Sequence, residues 1–225
     1  MRLNPFIDKW LCPPRPGAWR QFFTASLTLA LPFCLSAACL TKSAPRQEPR
    51  HANLESAFEQ SAVNRSPLKL PLRDPKIVVK KAQRQLLLFS AGKLLRTYRI
   101  GLGLSPSGDK VRAGDRRTPE GEFYIFTKND KSAFYLSLGL SYPNTAHAER
   151  GLRDGLITRA QYDAITRALR ARKTPLQNTH LGGDIYIHGH GAQSDWTWGC
   201  VALANEDIRE LFDAVSVGTP VTIEP

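Results

Sequence analysis

Asp184-Ile185-Tyr186-Ile187-His188-Gly189-His190-Gly191-Ala192-Gln193-Ser194-Asp195-Trp196-Thr197-Trp198-Gly199-Cys200-Val201-Ala202-Leu203 sets an imidazole twelve positions ahead of a thiol. The alternation of Ile185 and Ile187 predicts a short strand that ends at His188, and Gly189 and Gly191 then open a loop that returns to Gly199 and Cys200. Strand ends and loops are where reactive side chains are displayed. A thiol needs a base or a positive charge beside it to ionise at neutral pH, so a His and a Cys folded onto each other suggest a base and its nucleophile. In that reading Cys200 attacks and His188 takes the proton. The N–H groups of Gly199 and Cys200 are the oxyanion donors, since glycine lets backbone approach closely.

The neighbouring polar residues each carry two readings. His190 either orients an acyl group or is an exposed loop residue, as the glycines on both sides of it suggest. Thr197 either accepts a hydrogen bond near the thiol or stabilises a turn. Asp195 and Trp196 read as loop anchors. A zinc site on His188, His190 and Cys200 is the rival from another mechanistic class, with three ligands of permissible type. The two glycines argue against the rigid strand it needs, and Asp184 and Asp195 are few acids for its surroundings. No metal or other cofactor is expected.

The pattern His188-Gly189, a loop, then Thr197-Trp198-Gly199-Cys200 resembles the signature of the L,D-transpeptidase catalytic domain family, also called YkuD, with Trp198 where many members carry His. The resemblance extends from about Ile77 to Pro225 and includes Arg117-Thr118-Pro119-Glu120-Gly121-Glu122-Phe123, Ser137-Leu138-Gly139-Leu140-Ser141-Tyr142-Pro143-Asn144 and Gly218-Thr219-Pro220-Val221. It implies a cysteine enzyme that acts on peptidoglycan stem tetrapeptides, cutting between a diamino acid and D-Ala through a thioester. The acyl group would pass to another stem's amine or to a lysine of an envelope protein. It also implies that Gly189, Thr197, Trp198, Tyr142 and His190 line the substrate site, although Tyr142-Pro143 reads first as structural. Alternatives on the same substrate are a hydrolase and a degenerate wall-binding module that has lost thiol reactivity.

Composition bounds the rest. At 225 residues, 42% apolar and 23% charged, the chain allows one domain of ordinary size with a tail. The formal net charge of +11 is spread along the chain. No nucleic-acid motif or aromatic-basic stripe accompanies it, so attraction to an anionic cell envelope is its natural use and nucleic acid is not an expected partner. Residues 1–40 read as a targeting segment: Arg2, Lys9, Arg15 and Arg20 precede an uncharged apolar run from Phe22 to Leu40. Ser36-Ala37-Ala38-Cys39 fits a cleaved signal peptide, a lipoprotein anchor and an uncleaved membrane anchor alike, and each leads to the periplasm or cell envelope. Three of the four cysteines, Cys12, Cys34 and Cys39, lie in that leader, which leaves Cys200 without a disulfide partner in the exported part. Residues 41–75 read as a flexible tether rich in Ser, Pro, Ala, Arg and Glu, with a short helix at Leu54 to Ala62.

Residues 76–225 form the expected catalytic domain, mainly β: a sandwich of the L,D-transpeptidase type with a helical insertion and a C-terminal helix. Ile77 to Lys81, Gln85 to Ser90, Leu94 to Leu102, Gly121 to Thr127, Tyr135 to Leu140 and Thr219 to Glu224 read as strands, the early ones as a β-meander. Between Pro143 and Leu181 the period changes. Thr158 caps a helix to Arg172 with Tyr162, Ile165 and Leu169 on one face, leaving Arg159, Arg167, Arg170 and Arg172 toward solvent. Asn205 is read as the cap of a last helix whose buried stripe is Ile208, Leu211, Phe212 and Val215.

Overall fold

The structure, a computed structural model, describes residues 66–225. The targeting segment, most of the tether with its expected helix, and Cys12, Cys34 and Cys39 lie outside the described residues. Among those described, no helix is long and apolar enough to cross a membrane.

β-branched and leucine-rich runs build the first hairpins. Strand β1 (Lys76–Lys80) pairs antiparallel with β2 (Gln85–Ser90), which pairs antiparallel with β3 (Lys93–Arg99). The β2–β3 turn is the two-residue Ala91-Gly92, with φ of 48° and 76°, the paired positive values that let a tight turn follow strand twist. Strand β4 (Gly121–Ser132) runs on past Thr127 through a polar segment that pairs with β5 (Tyr135–Leu140). β6 (Tyr186–His188), β7 (Val201–Ala202) and β8 (Pro220–Glu224) complete an eight-stranded sheet of order β3-β2-β1-β8-β4-β5-β6-β7.

The expected meander holds for β1 to β3 only: β4 lies on the far side of β1, and β8 inserts between the two, parallel to β1 and antiparallel to β4. The chain's last residues thus occupy the middle of the sheet, where Val221 and Ile223 are buried. The sheet also curls until its ends meet. Beyond β3, Gly101 exchanges hydrogen bonds with Ala202 of β7 at 2.9 and 2.8 Å, and Gly103 bridges to Thr197. Both glycines are required at this seam. A Cβ at Gly101 would lie 2.3 Å from the Ser194 carbonyl oxygen, and one at Gly103 would lie 2.1 Å from that of Arg116.

Inside the curl lies one apolar core drawn from every strand except the short polar ends, including Ile77, Leu86, Ile100, Leu138, Ile187 and Val201. Helix α3 (Asn205–Ala214) closes it with Ile208 and Leu211. Each such side chain, fully buried, contributes roughly 1.5–3 kcal/mol. The insertion is two helices, α1 (Thr145–Arg153) and α2 (Arg159–Arg170), with a small core of their own around Ala148, Ile157, Ile165 and Leu181. Thr158 caps α2 in a reciprocal box: its hydroxyl accepts from Gln161 N–H, and the Gln161 side chain accepts from Thr158 N–H. Arg159, Arg167 and Arg170 are exposed, as the helical period requires, and so is Arg172 just beyond the helix.

Two details differ from the sequence reading. α3 is capped by Ala204 with no side-chain bond, because the Asn205 carboxamide is used elsewhere, as described below. Tyr142, expected at the substrate site, is wholly buried; its hydroxyl donates to Leu181 O at 2.9 Å and its ring packs on Phe123 and His147. An aromatic between two core layers satisfies its one polar atom internally and offers a ligand no surface.

Candidate active site

The parallel pairing of β6 with β7 sets His188 beside Ala202 and Ile187 beside Val201. Carried back one residue, that register sets Cys200 beside Tyr186. Since side chains alternate, His188 and Cys200 share one face of the sheet, two positions apart along it. Both are buried, at 2% and 6% exposure.

The thiol donates toward Asp184 O at 3.5 Å and accepts the Tyr186 N–H at 3.4 Å. No hydrogen bond joins it to His188. Burial pushes the thiol up to about 11, against the smaller pull of the Tyr186 N–H and the Lys110 charge. The imidazole moves the other way: burial lowers His188 to about 4, although its bond to Gly189 opposes this. Nδ1 lies 2.8 Å from Gly189 O, and a carbonyl only accepts, so Nδ1 carries the proton and Nε2 the lone pair. At neutral pH this is an uncharged thiol with an uncharged base.

Packing holds that base still. Phe134 stacks on the His188 ring at 4.6 Å between centroids, and Trp196 meets it edge-on at 5.5 Å. The loop that carries Trp196 is fastened at several points. Gly191 N–H donates to Leu203 O at 2.8 Å, Trp196 Nε1 donates to Gly191 O, and Leu102 O accepts from both Trp196 and Thr197 N–H. Asp195 takes a two-pronged contact from Arg84 and the Leu102 N–H at 2.9 Å. Asp195 and Trp196 are anchors, and Arg84 and Phe134 are partners that the sequence reading did not single out. Asp195→Ala is expected to destabilise the fold by about 1–3 kcal/mol, mainly by leaving the buried Leu102 N–H unpaired. A shifted urea midpoint at unchanged slope measures this.

Around the cysteine the turn is tight. Thr197 Oγ1 donates to Cys200 O at 2.8 Å and accepts the Gly199 N–H at 3.2 Å. Thr118 also reaches Cys200 O, at 3.5 Å. The Gly199 N–H, expected as an oxyanion donor, is thus committed inside the turn. The Cys200 N–H meets no acceptor among the described residues. Gly199 has φ 128°, and a Cβ there would lie 2.7 Å from Arg117 O, so the position admits only glycine.

The other expected site residues fall around this centre. Gly189 packs so closely that a Cβ would lie 2.6 Å from Asn205 Oδ1. That same oxygen accepts the His190 N–H at 2.9 Å, which is why it does not cap α3. His190 itself is exposed, with φ 74° and its ring edge toward Phe134. Trp198 is 36% exposed, and the Arg116 guanidinium lies 4.7 Å over its ring. Among the described residues, no three His, Cys, Asp or Glu side chains converge as a metal ion would require.

Residues 74–223 match the L,D-transpeptidase catalytic domain family, YkuD. No curated protein sequence matches the chain. Among solved structures it is similar to an L,D-transpeptidase from Xylanimonas cellulosilytica, 15% identical over 76% of this chain and 69% of that one, with a TM-score of 0.43. Bd1075 of Bdellovibrio bacteriovorus is 24% identical over 68% of this chain and 48% of its own, at 0.42. The helical cell shape determining protein Pgp2 of Campylobacter jejuni is 22% identical over 77% and 56%, at 0.45. The chain thus spans about half the length of the last two.

Proposed function

Because the chain belongs to the L,D-transpeptidase catalytic domain family, we propose that it is a cysteine-dependent L,D-transpeptidase acting on peptidoglycan stem tetrapeptides. One observation carries the reading: the one thiol among the described residues, buried, and an imidazole with a free Nε2 share a sheet face at the seam where the sheet closes. In the reaction the Cys200 thiol turns from Asp184 O, gives its proton to His188 Nε2, and attacks the carbonyl carbon between the diamino acid and D-Ala. The oxygen of the tetrahedral intermediate accepts the uncommitted Cys200 N–H. Collapse breaks the C–N bond, His188 returns the proton to the departing D-Ala amine, and a thioester remains. An acceptor amine, from another stem or a protein lysine, then attacks the thioester and regenerates the thiol.

Residues 76–225 act as the catalytic domain, tethered by 41–75 to an envelope-directed leader at 1–40. Gly189, Thr197 and Trp198 shape the acyl site, and His190 stands at its rim. Incubating the protein with disaccharide-tetrapeptide and following both protein and products by mass spectrometry tests this. The expected result is an adduct on the protein that lacks the mass of D-Ala, and cross-linked product with a second stem. Neither adduct nor product from folded protein overturns the reading.

A further inference from the structure

The loop between Ser105 and Thr118 supplies the wall of the thiol's seam. Gly103 lets the Arg116 carbonyl in so closely that a Cβ there would meet both Arg116 O, at 2.1 Å, and Gly199 Cα, at 3.2 Å. Ser105 N–H holds the Arg116 carbonyl at 3.1 Å, and Arg117 O presses on Gly199 from the next peptide. Arg116 has φ 58°, a conformation that a side chain adopts only where its surroundings impose it. That backbone lays its exposed guanidinium over Trp198, two residues before the nucleophile.

Among the described residues, no acid pairs with Arg116. Asp115, its chain neighbour, is saturated by Lys110 Nζ at 2.8 Å and by the N–H groups of Val111, Arg112 and Arg117. Asp195 is held by Arg84. Among the described residues, the Arg116 side chain makes no ion pair or hydrogen bond. A guanidinium stacked on an indole is oriented through its face, while its N–H edges stay free for a planar, two-pronged acceptor.

We propose that Arg116, braced on Trp198, grips a carboxylate of the acyl-donor peptide and so makes donor choice depend on that anion. This rests on the transpeptidase reading. Two carboxylates of a stem tetrapeptide supply the same chemistry: the terminal one on the leaving D-Ala and the one on the diamino acid beside the scissile bond. Arg116 is a specificity residue for whichever of them reaches it.

The test compares thioester formation, as kcat/KM, for wild-type protein and Arg116→Gln on three donors: the tetrapeptide, its C-terminal amide, and the peptide amidated at the diamino acid. The expected result is that wild type prefers the free acid over one of the amides by about 10-fold or more, the scale of a charge-assisted pair. Arg116→Gln erases that preference by losing rate on the acid alone, and the amide that wild type disfavours identifies the carboxylate. Arg116→Lys keeps the charge without the fork and restores part of the preference. If Arg116→Gln lowers all three donors alike, Arg116 is structural and the proposal falls. Equal rates on all three donors in wild type also overturn it. No thioester from any donor in folded wild type removes the transpeptidase reading itself, and this proposal with it.

Discussion

Exchanging Cys200 for Ser is expected to abolish acyl-enzyme formation, by something on the order of 10⁴-fold or more, with the fold unchanged. The substitution is close to isosteric, and a hydroxyl can still donate toward Asp184 O and accept the Tyr186 N–H, as the thiol does. What is lost is nucleophilicity: the seam has no strong base to ionise a hydroxyl, since burial holds His188 at about 4. Intact-protein mass spectrometry reads the result with two acyl donors, the tetrapeptide and a carbapenem whose strained lactam presents an amide-like carbonyl. The two are run together because Trp198, two residues before Cys200, is exposed, and a donor that clashes with it would give no adduct even where the thiol is competent. An adduct with either donor on Cys200→Ser would reject the thiol mechanism.

The elements that periodicity governs were legible in the sequence. β2 and β5 run between the expected residues, the Thr158 cap opens α2, and the alternation at Ile185 and Ile187 ends in a strand at His188. What local pattern could not carry was long-range closure. Nothing in Pro220–Glu224 says that it lies parallel to β1 in mid-sheet, and nothing local to Gly101 or Gly103 says that their missing side chains admit Ser194 and Arg116. Asn205 illustrates the competition. By rule it is a helix cap, yet a tertiary partner, the His190 N–H, takes its side-chain oxygen.

The candidate site was legible as a pair but not as an environment. Spacing brought His188 and Cys200 to one strand pair, but the proton inventory depends on burial and on Gly189 O, which no motif encodes. Phe134, at the end of the β4–β5 hairpin, covers the imidazole from 54 positions away in sequence. Its only local signal was a large apolar residue in a polar turn.

That environment sets a pH profile. Wild-type acylation is expected to be level from about pH 4 to about pH 11, because over that span both thiol and imidazole rest uncharged and one internal proton transfer prepares the attack. Below about 4 the rate falls tenfold per pH unit as Nε2 takes a proton from solvent. His188→Ala is expected to be about 100-fold slower at pH 7 and to change the shape of the curve. Without the base only preformed thiolate attacks, so its rate climbs about tenfold per pH unit until the thiol titrates near 11. Folding must be followed alongside. The imidazole binds its proton less readily in the folded chain than at its ordinary 6.5. Between about 6.5 and 4 the unfolded state therefore holds more protons, and stability drains away as pH falls through that window. Near-UV circular dichroism at each pH separates that loss from loss of the base. A wild-type rate that climbs tenfold per unit across pH 6–9 in folded protein would show that His188 does not take the proton, whatever its distance from the sulfur.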